Sequence, residues 1–220
     1  MNTIHRIPSD VAFTASVKAV QARKGSRQAY ARMEEAKPWR TTITPDLARF
    51  IAAQTSVFLA TANAEGQPYI QHRGGPPGFL HVLDDKTIAF ADFVGSRQYV
   101  TIGNLADNPK VHLFLIDYAQ QRRIKIWGEA RVVEGDAELI AQLMPRHYNA
   151  RAGQVILFSV STWDVSCPQH IPQRFDAADV AAALAERDER IAALEAKIRA
   201  LQQPTEDAQT PETDRTATGS

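Results

Sequence analysis

At 220 residues the chain has the length to bury a real core in one domain with extensions, and two full domains would be a squeeze. Its Lys+Arg 25 balance its Asp+Glu 25, so it lacks the overall basic footprint of a protein that binds nucleic acid or an anionic membrane. A single cysteine, Cys167, excludes an internal disulfide and a cysteine-rich zinc site. With no basic-then-apolar leader pattern and no apolar run near the roughly 18 to 20 residues of a bilayer span, a soluble cytoplasmic protein is expected.

Through residue 38 the pattern is weak. Segments 15–23 and 26–37 suit short helices, and residues 1–43 are expected to form a helical wrap around the main domain. Thr44-Pro45-Asp46 is a strong helix start. Thr44 serves as N-cap, Pro45 occupies the first position, where no N–H is needed, and Asp46 complements the helix dipole. Leu47, Phe50 and Ile51 then fall on one face. From Ser56 the chain turns to short β-rich runs, 57–61 and 68–73, joined by Asn63-Ala64-Glu65-Gly66 as a hairpin. Further strands are expected at 79–83, 87–92, 111–118, 124–133 and 155–165, with Asp84-Asp85-Lys86 as a tight turn. Two helices interrupt them, 96–106 ended by Asn108-Pro109 and 136–144 ended by Pro145. Many short strands with mostly local connections imply a mainly β protein, an antiparallel β-barrel with peripheral helices over 44–175.

A long helix is expected over 176–203, with Asp176 as its cap. Val180, Leu184, Arg187, Ile191, Leu194, Ile198 and Leu201 alternate four-three spacing, a heptad with Leu184, Ile191 and Ile198 at a. Arg190 then sits at g and Glu195 at the following e, which favours a parallel two-fold dimer; a stripe laid on the chain's own barrel is the alternative. Residues 204–220 have hardly an apolar side chain and are expected to be disordered.

Cations and glycines gather at Gln71-His72-Arg73-Gly74-Gly75-Pro76, at Gly95-Ser96-Arg97 and at Arg122-Arg123-Ile124-Lys125. A Gly/Pro bend lets backbone amides approach a ligand closely, and arginines fork onto phosphate. Each segment alone fits a surface turn with solvated arginines. Together they argue for a phosphorylated ligand on the barrel.

The run Phe90-Ala91-Asp92-Phe93-Val94-Gly95-Ser96-Arg97, then Gly103-Asn104-Leu105, Asn108-Pro109 and Arg122 to Ala130, resembles the pyridoxamine 5′-phosphate oxidase-like superfamily of FMN-binding split β-barrels. Arg73 to Pro76 and Cys167 to Ile171 are similar to its flavin-nucleotide-binding group, with an Arg-Gly-Gly-Pro bend and a Cys-Pro-Gln-His-Ile segment. The resemblance implies a homodimer with FMN at the subunit interface, each flavin held by both chains. It places Ser96 and Arg97 on the phosphate, Gln71, His72 and Arg73 along the ring strand, Ala91 and Asp92 in backbone contact, and Arg123 facing the ring. Lys125, two residues on, shares the face of Arg123 and is expected to reach the phosphate or the N1–C2=O edge of the ring. The oxidases proper follow the arginine with lysine, where this chain has Gln98, and end in Trp- and Arg-bearing segments not found here, which argues against vitamin B6 as substrate.

The implied activity is an FMN-dependent oxidoreductase with a nicotinamide or small organic electron donor. The alternative is a flavin-binding carrier, sensor or interaction module acting through the C-terminal helix, and haem or a deazaflavin on the same barrel stays open. No catalytic acid or base is evident beyond His170, in a Pro168-Gln169-His170-Ile171-Pro172 loop, as a proton relay; capping a loop carbonyl is the competing role. Cys167 has no resolving cysteine and is expected to be a small buried hydrophobe. The six histidines show no metal-ligand spacing, so no metal is expected. Trp127 and Trp163 are expected as core or dimer-interface aromatics.

Overall fold

Antiparallel strand pairing organises the protein. The computed structural model describes residues 7–202, so the expectation of a disordered tail over 204–220 lies outside the described residues. Among these, seven strands form one sheet: β1 (Ser56–Ala62), β2 (Pro68–Gly74), β3 (His81–Val82), β4 (Thr87–Phe93), β5 (Lys110–Asp117), β6 (Arg122–Glu134) and β7 (Ala152–Ser166). Their order is β2-β1-β5-β6-β7-β4-β3, with every pair antiparallel. The helices are α1 (Ala15–Arg23), α2 (Arg27–Ala36), α3 (Pro45–Ala52), α4 (Val100–Asp107), α5 (Ala137–Leu143) and α6 (Ala177–Gln202). The fold is a split β-barrel with peripheral helices and a long C-terminal helix, the class expected from the sequence. Contacts divide the chain between Gln173 and Arg174 into a barrel unit and a C-terminal unit. No described helix is long and apolar enough to cross a membrane.

Period-two alternation builds the core. Val57 and Leu59, Leu113 and Leu115, and Ile124 and Ile126 all turn inward and are fully buried, while their sequence neighbours face out. Helix α3 closes this core with Leu47, Phe50 and Ile51, and its start is capped as expected, Thr44 Oγ1 accepting from the Leu47 amide at 3.3 Å. A smaller cluster joins Leu143 of α5 to Ala89, Ala91 and Val155. Where β6 and β7 shift register, Gly128 admits no side chain, since a Cβ there would lie 2.1 Å from the Ser159 carbonyl oxygen.

The N-terminal segment lies on the outer side of the strands. Trp39 stacks on Trp127 with centroids 4.8 Å apart and planes at 14°, Phe13 packs against Trp39, and the Trp163 Nε1 donates to the Thr42 carbonyl at 2.8 Å. Trp163 is a core residue and Trp127 is half-buried under Trp39.

Three local expectations are corrected. The strand expected at 79–83 shrinks to His81–Val82, because Gly78 turns the chain at φ 87° and Phe79 donates back to the Pro76 carbonyl while its side chain enters the core. Helix α4 starts at Val100 rather than Ser96, because Arg97 and Tyr99 adopt left-handed φ of 59° and 56°, which no α-helix accommodates. Cys167 is exposed, not buried, since it falls just past the end of β7.

On the outer face of β5 the His112 ring sits 4.9 Å from Trp127, and its buried Nε2 has no hydrogen-bond partner. Burial, followed by the nearby Lys125 cation, pushes its pKa down to about 4. The unfolded chain takes up this proton near pH 6.5 and the folded chain only near 4. Stability is therefore full above pH 6.5 and falls as pH drops towards 4, by up to about 3 kcal/mol. Chemical denaturation between pH 7 and 4 should show that His112→Gln loses this acid-induced penalty; parallel pH profiles for the two proteins would exclude a neutral buried His112.

Candidate functional site

Strand β2 lies at one edge of the sheet and β4 near the other, five places apart in the order, so no backbone ladder joins them. Side chains do. The Arg73 guanidinium ion-pairs with the Asp92 carboxylate, and both are largely buried, at 14% and 10% side-chain exposure. Gln154, opposite Asp92 in the β4–β7 register, donates its Nε2 to the other carboxylate oxygen at 2.8 Å. From α4, Thr101 donates its hydroxyl to Gln71 at 2.8 Å and Asn104 its amide to Thr61 at 2.9 Å. The seam of the split barrel is thus closed by polar side chains. A cleft of about 390 Å³ opens along it, in the size range of small-molecule sites.

The wall of the cleft between β4 and α4 carries the anion-binding character. Ser96 and Arg97 line it from an exposed loop, and Arg97 makes no ion pair among the described residues. Two left-handed non-glycine residues, each costing about 1 to 3 kcal/mol, hold this loop in shape, a cost typical of functional segments. The first turn of α4 has no side-chain cap, and its residues Val100, Thr101 and Ile102 line the cleft, which sets the positive dipole end of the helix beside this space. Arg73 adds a buried Nε with no partner. The donor set suits a phosphate. Opposing it are two acids, Asp92, which is neutralised by Arg73, and the exposed Glu134.

Of the residues singled out from sequence, Gln71, Arg73, Asp92, Ser96 and Arg97 come together in the cleft. The others lie elsewhere. Strand alternation turns His72 to the outer face, where it shares a 2.7 Å hydrogen bond with the Ser56 hydroxyl and edges Phe58. Ala91, expected to act through its backbone, points its methyl into the smaller core cluster and is not among the residues lining the cleft. Arg123 and Lys125 lie on the outer face of β6, and Lys125 pairs with Asp164 at 3.0 Å beneath Trp39 and Trp127. His170 is exposed in its loop with a left-handed φ of 63° and does not line the cleft.

The Gly75 amide of the Arg-Gly-Gly-Pro bend, and those of Gly78 and Phe79 just beyond it, are committed to the protein's own backbone. Gly75 donates to the Thr55 carbonyl at 3.1 Å, Gly78 to Ala52 at 2.7 Å and Phe79 to Pro76 at 3.0 Å, which docks the bend on the end of α3. Gly75 is required there for packing, a Cβ lying 2.7 Å from the Phe79 side chain. Gln154, Thr101 and Tyr69 line the cleft without having been singled out. Gln154 arrives through a pairing 62 positions away, which local pattern does not reveal. Thr101 carried a legible sign, standing four positions after Arg97 at the start of an expected helix.

A family model described as pyridoxamine 5′-phosphate oxidase matches residues 43–202. No curated protein matches the chain. Similar solved structures include HupZ of Group A Streptococcus, 21% identical with a TM-score of 0.47 over 60% of this chain and 99% of that one. An FMN-binding protein of Syntrophomonas wolfei is 14% identical with a TM-score of 0.43 over 70% and 98% of the two chains. The heme storage protein HutZ of Vibrio cholerae is 20% identical with a TM-score of 0.40 over 56% and 94%.

The buried ion pair at the seam generates a stability prediction. Asp92→Ala leaves Arg73 charged without a partner and should destabilise the fold by about 3 kcal/mol in urea titration, whereas adding Arg73→Met should recover most of the loss. Additive losses in the double variant would show that the two side chains are not coupled.

Proposed function

The chain belongs to the pyridoxamine 5′-phosphate oxidase family, and from that premise we propose that it is an FMN-dependent oxidoreductase acting as a homodimer. The observation that carries this reading is the convergence of the unpaired Arg97, Ser96 and the uncapped start of α4 on one cleft. Arg97 and the α4 amides hold the phosphate, and Gln71 and Arg73 flank the rest of the ligand along β2. When bound, the flavin ring supplies the electron transfer. The chain's own residues bind it, orient it and exclude water.

Asp92, braced by Gln154, keeps Arg73 aimed along the seam, and Arg73 in turn neutralises the carboxylate that would otherwise repel the phosphate. A homodimer is supported by apolar side chains on the outer face of β2, β1 and β5, where Ile70 is 62% exposed and Phe58 and Phe114, partners in register, are half-buried. In that assembly Arg123, which makes no ion pair among the described residues, is the cation a second chain brings to the flavin. Gln98 in place of lysine beside Arg97 speaks for a substrate other than vitamin B6. The exposed, unpaired Cys167 thiol fits a cytoplasmic setting.

A second reading, a flavin-binding module without turnover, is favoured by the lack of a histidine, lysine or cysteine among the described residues lining the cleft and by the exposed apolar stripe of α6. Reduction of bound flavin by NADH or NADPH supports the enzyme; flavin inert to both supports the module.

Purified protein should show flavin absorption bands and release a molecule with the mass of FMN on denaturation. Arg97→Ala removes a charge-assisted contact of about 1.5 to 3 kcal/mol and should weaken FMN about tenfold or more in fluorescence titration. Unchanged affinity would place the phosphate elsewhere, and a colourless protein that takes up no FMN would overturn the reading.

A further inference from the structure

Helix α6 is 26 residues long and buries none of them. Its apolar stripe is open to solvent, with Leu184 54%, Ile191 53%, Leu194 44%, Ile198 53% and Leu201 86% exposed. We propose that α6 pairs in parallel with the α6 of a second copy of this chain, as a two-stranded coiled coil whose orientation is set by its flanking charges.

Three features converge on this occupant. With Leu184, Ile191 and Ile198 at a, the d positions are Val180, Arg187, Leu194 and Leu201. The two C-terminal heptads thus combine β-branched isoleucine at a with leucine at d, the combination that favours two parallel strands over three or four. The flanks are sorted by sign, with Arg190 and Lys197 at g and Asp188 and Glu195 at e. A parallel pair sets Arg190 against Glu195 of the other copy, whereas an antiparallel pair would face g with g and e with e, cation on cation and acid on acid. Glu195 is free to respond, since its contact with Arg199 in its own helix is only 3.9 Å at high exposure. Arg187 is the one charge within the seam. In parallel register it lies beside Asp188 of the other copy, and the polar seam position fixes the register at some cost in stability.

The proposal does not rest on the flavin reading. In the full chain with Cys167→Ser, a cysteine is placed either at the seam, Leu194→Cys, or on the outer face two positions on, Ala196→Cys. Under mild oxidation the seam variant should form disulfide-linked dimers about tenfold faster or more, because a coiled-coil seam raises the effective thiol concentration. Adding Arg190→Glu to the seam variant should slow cross-linking, and Arg190→Glu with Glu195→Arg should restore it. Equal rates at 194 and 196, no cross-link at 194, or faster cross-linking with Arg190→Glu would each overturn the parallel pair. Flavin content measured on the same samples reports separately on the cleft.

Discussion

The ion pair between Arg73 and Asp92 ties together two strands that the hydrogen-bond ladder keeps apart. A seven-stranded antiparallel sheet can curl far enough to bring its second-from-last strand near the opposite edge, but backbone pairing then stops, and what happens at the gap decides the shape. Here the gap is bridged by one charge pair, braced from β7 by Gln154 and from α4 by Thr101 and Asn104. The same gap leaves room for the cleft. Closure of the barrel and placement of the site are therefore one structural event.

The electrostatics follow from that arrangement. Arg73 is committed to Asp92, so the cationic character available to a ligand comes from Arg97, from the partnerless Arg73 Nε and from the open end of α4. None of these is a long-range field, in keeping with a chain whose formal charge is zero. The cationic character of the cleft is local and geometric. The left-handed residues Arg97 and Tyr99 matter for the same reason, since they delay α4 until Val100 and so leave Ser96 and Arg97 on a loop that lines the cleft.

Much of the barrel was legible in the sequence because its strands alternate strictly. Val57 and Leu59 or Ile124 and Ile126 leave little choice of face, and Thr44-Pro45-Asp46 announces α3 through local chemistry alone. The site was legible in part. Gln71, Arg73, Asp92, Ser96 and Arg97 line one cleft, whereas His72 belongs to the same motif as Gln71 and Arg73 but points away, a consequence of period two that residue types do not reveal. Gln154 was out of reach because only the β4–β7 register delivers it. At Gly75 of the Arg-Gly-Gly-Pro bend the glycine signals close approach, and the group approached is the Phe79 side chain, which sequence alone does not identify.

The central claim is that the cleft recognises its ligand through a terminal phosphate. Fluorescence titration of ligand-free protein with FMN and with riboflavin, which share the ring and differ in the phosphate, tests this most directly. Binding of FMN about a hundredfold or more tighter than riboflavin, with the difference shrinking at high salt, is the predicted result for several charge-assisted contacts. Equal affinity for the two would contradict a phosphate-anchored site at the seam.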